Sequence, residues 1–220
     1  MRSLGLSLVL LLVAACARPQ QLGAAPPRPV TYVALGASDA VGVGASHPET
    51  EGWVPRFGAS LGDRESTRVV NLGVSGSTLE QALREQLPPA LDAHPDVVTI
   101  WLAVNDLNAR TPLDRYTANL DSLLAQLEPL QARVLVGNVP DLAAVVAYRG
   151  VNPEPLRAEV DRWNAAIAGA VERHGAQLVD LHATWQELSQ HPEYLAADGF
   201  HPSTEGYARL AELFEAAYAR

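Results

Sequence analysis

The sequence predicts a single three-layer α/β domain, with helices packed on both faces of a five-stranded parallel sheet. Three observations carry this. From Val30 onward, short apolar runs alternate with longer stretches of helical period. The short runs are β-branched and lack the every-other-residue polarity of a half-exposed strand, which suits strands buried on both sides. Finally, 220 residues, 48% of them apolar and 19% charged, match one ordinary core, and no internal repeat or second linker divides the chain.

In chain order, the first strand is expected at Val30–Leu35, running into a glycine turn at Gly36, and a helix follows at Trp53–Leu61. The second strand, Arg68–Leu72, ends at Gly73. Ser77 or Thr78, with Glu80 and Gln81 close behind, then opens a helix over Thr78–Ala90, because a hydroxyl at that place satisfies free backbone N–H groups. A third strand is expected over Val97–Val104, a helix over Leu113–Leu127 and a fourth strand over Arg133–Val139. The longest helix, Pro155–His174, has Gly175 behind it to end it. The fifth strand is Gln177–Leu181 and the last helix Thr204–Ala219. Ligands in open parallel sheets sit outside the carboxyl ends of the strands, so the loops following the strands are where chemistry is to be sought.

Composition narrows that chemistry. All sixteen basic residues are Arg, so a Schiff base, a Ser-Lys dyad and the Lys of a phosphate-gripping loop are excluded. One cysteine, Cys16, excludes internal disulfides and multi-cysteine zinc sites. A formal charge of −9 with no basic stripe argues against nucleic-acid binding. Hydroxyls and carboxylates remain as nucleophiles.

Arg2 precedes an apolar run from Leu4 to Val13, shorter than the ~20 residues that span a bilayer but suited to the core of an export signal. Val13-Ala14-Ala15-Cys16 resembles a bacterial lipobox, which implies cleavage before Cys16 and lipidation of its thiol. The alternative is an ordinary secretory signal cut near Ala15 or Ala17. Residues 1–15 are thus expected to be a lipoprotein signal peptide and 16–29, rich in Pro, Gln, Gly and Ala, a tether, with the folded domain at 30–220. This places the protein in the bacterial cell envelope, held to a membrane at Cys16 or else secreted.

Four loops carry candidate chemistry. Gly36-Ala37-Ser38-Asp39 follows the first strand and would hold Ser38 rigidly at its end; taken alone, this is ordinary turn chemistry. Gly73-Val74-Ser75-Gly76-Ser77 ends the second strand before a helix, where the Gly76 N–H could bind developing negative charge, or where glycine only permits close packing. Ala103-Val104-Asn105-Asp106 ends the third strand with an amide, which elsewhere merely opens a turn. Asp198-Gly199-Phe200-His201-Pro202 precedes the last helix, and a carboxylate three residues before a histidine can fix its tautomer. Serine needs such a base to be nucleophilic at neutral pH.

These four blocks together resemble the SGNH or GDSL family of esterases and lipases, over about Val30 to the end. The resemblance implies a flavodoxin-like α/β/α fold, no cofactor, and hydrolysis of a small-molecule, lipid or sugar ester. By that resemblance Ser38 is the nucleophile, His201 the base and Asp198 its orienter. Gly76, Asn105 and the Ser38 backbone N–H are then the oxyanion-hole donors. Two positions depart from the family pattern: Gly-Asp-Ser-Leu is here Gly36-Ala37-Ser38-Asp39, and Gly-x-Asn-Asp is here Ala103-Val104-Asn105-Asp106. The competing classes are a catalytically silent surface lipoprotein binding carbohydrate or lipid in the same cleft, and a narrower sugar O-deacetylase, lysophospholipase or thioesterase.

The remaining residues take plainer expectations. His47, His94 and His191 each precede a proline in loops, His174 ends a helix, and His182 follows the last strand; no spacing suits a metal, so none is expected. Trp53, Trp163 and Trp185 fit helix packing. The apolar stretch after Asn138-Val139-Pro140-Asp141, with Leu142, Val145, Val146 and Tyr148, reads as a packed loop or surface helix, or more sharply as an acyl-binding wall or lid. No helix face is apolar enough to demand a partner, so a monomer is expected.

Overall fold

The computed structural model describes residues 29–62 and 67–220. Cys16, the expected signal peptide and all of the expected tether but Pro29 lie outside the described residues. Five strands, β1 (Val30–Gly36), β2 (Thr67–Asn71), β3 (Val97–Trp101), β4 (Arg133–Gly137) and β5 (Gln177–Val179), form one sheet in the order β2-β1-β3-β4-β5. Every neighbouring pair is parallel. This is the doubly wound three-layer sheet expected, with its order reversing between β1 and β3, where the loops diverge and leave a crevice.

Ten α-helices occur among the described residues: α1 (Ser38–Val41), α2 (Pro48–Glu51), α3 (Trp53–Ser60), α4 (Leu79–Glu85), α5 (Leu87–Asp92), α6 (Val104–Asn108), α7 (Leu113–Leu127), α8 (Pro153–Arg173), α9 (Leu181–Thr184) and α10 (Thr204–Tyr218). Side chains alternate across the sheet as a pleat requires. Val33, Leu35, Val98, Ile100 and Val136 face a layer built by α4, α5, α7 and α8. Tyr32, Ala34, Trp101, Leu135 and Val179 face α3 and α10. The second layer is pinned by Trp53 stacked on Phe214, ring centroids 4.4 Å apart, and by Phe57 edge-on to Tyr32 at 5.1 Å. In the first, Trp163 packs on Tyr116 at 4.6 Å.

Four expected elements differ, and of these β4 and β5 each end two residues early, at Gly137 and Val179, with Leu181 opening α9. The strand expected over Val97–Val104 stops at Trp101, because Leu102 and Ala103 leave the ladder and Val104 opens α6. The helix expected over Thr78–Ala90 divides at Gln86 into α4 and α5. Pro88 and Pro89 withdraw the N–H donors that the carbonyls four residues earlier would use, while the apolar period carries on across the break. Thr78 is the helix cap and makes a reciprocal capping box with Gln81.

The break gives Gln86 a task. Its side chain is buried; Oε1 accepts from the Gly36 N–H at 3.0 Å, and Nε2 donates to the Gly36 carbonyl at 2.9 Å and to Ser77 Oγ at 3.1 Å. One amide therefore joins the carboxyl end of β1 to the loop after β2. Gln86→Leu keeps the volume but leaves the buried Gly36 N–H without its acceptor and takes one of two donors from the Gly36 carbonyl, the Val74 N–H at 3.2 Å remaining. Urea denaturation is expected to show a loss of about 2 kcal/mol or more, with unchanged far-ultraviolet dichroism.

Candidate active site

Ser38 stands where β1 turns sharply into the four-residue α1. A Cβ on Gly36 would lie 2.5 Å from Ala40 Cβ, so the turn can close this tightly only over glycine. Ser38 Oγ lies 2.9 Å from His201 Nε2, and His201 Nδ1 lies 2.6 Å from Asp198 Oδ2. The other carboxylate oxygen of Asp198 accepts from the backbone N–H groups of Phe200 and His201 at 2.9 and 3.0 Å. Gly199, at φ +66°, makes the turn that allows this. Burial pushes the Asp198 carboxyl up, but the hydrogen bonds from the His201 ring and from these two N–H groups outweigh it and hold the carboxyl below the usual carboxylate range. An ionised Asp198 fixes the tautomer of His201, with Nδ1 protonated and Nε2 free to accept from Ser38. The loop itself is held by the His201 carbonyl accepting from the Ala196 N–H at 2.8 Å.

The expected amide donors lie on the two neighbouring loops. Asn105 is the second residue of α6, and its Nδ2 donates to the Ser77 carbonyl at 3.0 Å, leaving one amide hydrogen over. Gly76 adopts φ +80°, a conformation side chains resist although no atom would meet a Cβ there. The N–H groups of Ser38 and Gly76 make no hydrogen bond among the described residues. Asp106, next to Asn105, is buried, and its Oδ2 accepts from the Leu79 N–H at 2.8 Å, tying α6 to the start of α4. Burial raises the Asp106 carboxyl above its ordinary value against that hydrogen bond. A small cavity of about 10 Å³ is bounded by Ser38, Ser77, Asn105 and Phe200.

The two departures from the family pattern have physical answers. Ala103 at φ −164° is extended backbone that any residue adopts, so its methyl costs no strain. Ala37 is buried in the core, and the carboxylate of this block instead follows the serine, as Asp39. Burial lifts the Asp39 carboxyl to about 6; the nearby His201 opposes this and Asp198 adds to it. Asp39 also lines a second cavity, of about 30 Å³, with Trp101, Val104, Leu142, Val145 and Trp185. The stretch after β4 is thus a packed loop of two 3₁₀ turns, Leu142–Ala144 and Val146–Tyr148, whose inner face forms one cavity wall. Trp185 belongs to no α-helix; it is buried at the end of α9, against that cavity.

Sequence reasoning brought Ser38, Asp198 and His201 to one place and put Gly76 and Asn105 on flanking loops, as the geometry has them. It passed over Gln86, gave Asp39 no role and assigned Trp185 to helix packing. For Asp39 a signal existed, a carboxylate transposed across the serine. The other histidines are elsewhere: His174 bridges Glu128 at 2.6 Å and Asp121 at 3.1 Å, and the His182 N–H donates to Asn138 Oδ1. Among the described residues no three His, Cys, Asp or Glu side chains form a metal-holding group.

A serine hydrogen-bonded to an Asp-supported histidine, at the switch point of a doubly wound sheet, defines a hydrolase site. The chain belongs to the GDSL-like lipase/acylhydrolase family, which it matches over residues 34–209, and is a carboxylic ester hydrolase. It is 28% identical over 159 residues to an acetylxylan esterase of Geobacillus stearothermophilus, covering 67% of this chain and 70% of that one. An arylesterase of Vibrio mimicus is 26% identical over 176 residues, covering 79% and 82%. Among solved structures, an α/β hydrolase from the metagenome of Lake Arreo, Spain, superposes with a TM-score of 0.69 at 23% identity, covering 86% of this chain and 95% of that one.

The raised carboxyl of Asp39 sets a stability profile. Its value in the folded chain lies above the unfolded one, so folding takes up a proton between about 4 and 6 and stability falls as pH rises through that window. Asp39→Asn removes the charged form. The variant is expected to be more stable than the parent above pH ~6, with the gain shrinking toward zero below pH ~4, read from urea midpoints across pH.

Proposed function

We propose that the protein hydrolyses carboxylic esters through an acyl-enzyme on Ser38. The observation that carries this is the continuous hydrogen-bond chain from Ser38 Oγ through His201 to Asp198, at 2.9 and 2.6 Å. His201 Nε2 takes the Ser38 proton as Oγ attacks the ester carbonyl carbon, and the C=O pair becomes an oxyanion. That oxyanion is held by the Ser38 and Gly76 N–H groups and the spare amide hydrogen of Asn105. His201 returns its proton to the leaving alkoxide, the alcohol departs, and the acyl group stays on Ser38. Water then attacks with His201 again as base, releasing the acid and restoring Ser38. Asp198 stays ionised throughout and stabilises the imidazolium.

The cavity of about 30 Å³ supports a short acyl group, because it admits a chain of a few carbons at most. Similarity to an acetylxylan esterase points the same way. Upstream of the catalytic domain, the lipobox-like Val13-Ala14-Ala15-Cys16 supports export and lipid anchoring at Cys16, with residues 16–29 as tether and the domain acting as a monomer at a membrane of the envelope.

Three measurements test these readings. Ser38→Ala is expected to abolish turnover of nitrophenyl acetate, and Asn105→Ala to lower kcat on the order of 10²–10³ with unchanged dichroism; equal activity in Ser38→Ala and the parent sinks the mechanism. Among nitrophenyl esters, acetate is expected to exceed octanoate in kcat/KM by about tenfold or more. Labelled fatty acid fed to expressing bacteria is expected to enter the parent protein and not Cys16→Ser.

A further inference from the structure

Two polar groups on the wall of the larger cavity have no side-chain partner. Asp39 lines it among apolar neighbours; its own backbone N–H meets its carboxyl, and no side chain among the described residues hydrogen-bonds it, so lone pairs of the carboxylate stay free. Trp185 lines the same cavity; it is 3% exposed, and its buried indole N–H has no acceptor among the described residues. Trp101, on the same cavity, differs in this respect, since its N–H reaches the Asn138 carbonyl at 3.1 Å. Buried N–H groups are nearly always paired, so a lone one beside a cavity asks for an acceptor from whatever the cavity receives. Asp39 asks for a donor.

A hydroxyl is the smallest organic group that both donates and accepts. We propose that this cavity is a subsite for a short acyl group bearing a hydroxyl on its second or third carbon, the hydroxyl donating to Asp39 and accepting from Trp185 Nε1–H. The assignment rests on the esterase reading of Ser38. The acyl part is placed here, and not the alcohol part, because the alcohol must leave first and water must enter behind it. The apolar-walled side therefore keeps what stays bound to Ser38. Asp39 and Phe200 border both this cavity and the smaller one at Ser38, so an acyl chain on Oγ has a direct path between them. A volume of about 30 Å³ is room for a group of about the size of a water molecule, as a hydroxyl is.

Two pairs of isosteric esters test this: methyl glycolate against methyl propionate, and methyl 3-hydroxypropionate against methyl butyrate. Each pair differs by a hydroxyl in place of a methyl group. Values of kcat/KM from pH-stat titration at neutral pH, each divided by the ester's own rate with hydroxide, remove differences in intrinsic reactivity. In at least one pair the hydroxylated ester is expected to win by about tenfold or more. Asp39→Leu, which restores the residue of the family block, and Trp185→Phe, which keeps the ring, are each expected to bring that ratio to within about twofold of one. If the parent turns over these esters with a ratio near one in both pairs, the subsite is overturned while the esterase reading stands. A preference that survives both substitutions overturns it as well. No turnover of these esters or of nitrophenyl acetate removes the esterase reading, and the subsite with it.

Discussion

The catalytic edge of this molecule depends on one buried amide. Gln86 grips both backbone polar groups of Gly36 and the hydroxyl of Ser77, and so fixes the turn that carries Ser38 relative to the loop that carries Gly76. Ser38 opens only a four-residue helix, the loop after β2 is tied to it by one backbone bond, from the Val74 N–H to the Gly36 carbonyl at 3.2 Å, and both carry glycines whose freedom must be restrained from outside. Asp106 and Asn105 repeat the device from the other side, through Leu79 and Ser77. Three loops that approach from different strands are thereby cross-tied before any substrate arrives, which is what electrostatic preorganisation requires of a fold. The dipole partners do not need to reorganise as charge develops.

Two carboxylates near His201 show how environment separates identical groups. Asp198 accepts three hydrogen bonds and is held ionised; Asp39 accepts none from neighbouring side chains and is pushed toward its neutral form by burial. The first orients the imidazole. The second sits on the wall of a cavity, where burial makes the charged form costly and lifts the carboxyl above its ordinary value. The transposition of this carboxylate across Ser38 thus changes its surroundings completely while leaving the serine, histidine and their mutual geometry intact.

Much of this was legible in the sequence because the responsible signals are local. Ser38, Asp198 and His201 stand in short glycine-bearing turns that directly follow, or precede, strongly patterned elements, and their roles need only a strand end and a helix start. The helix over Leu113–Leu127 carries its own apolar stripe and was legible to the residue. Gln86 was not, because its partners lie 50 and 9 residues away and nothing in its neighbours marks a polar residue as buried. The division of the helix around it was masked by Leu79, Ala82, Leu87 and Ala90, which keep a helical period across Pro88 and Pro89. The early end of β3 was hidden for the same kind of reason: Leu102-Ala103-Val104 is as apolar as a strand, and only the need to turn Asn105 toward Ser77 ends the pairing. Trp185 reads as core from its residue type, and it is buried; that its N–H lacks an acceptor is a property of three-dimensional surroundings alone.

The hydrogen bond between His201 and Ser38 joins residues 163 positions apart. The nucleophile is made before the histidine and aspartate, which arrive together on the loop leading into α10. Until that segment docks against α3 and the sheet, Ser38 is an ordinary alcohol with no base to activate it. Hydrolytic power in this chain is therefore born only when segments far apart in sequence have met, so a copy in which they have not folded together carries no reactive serine.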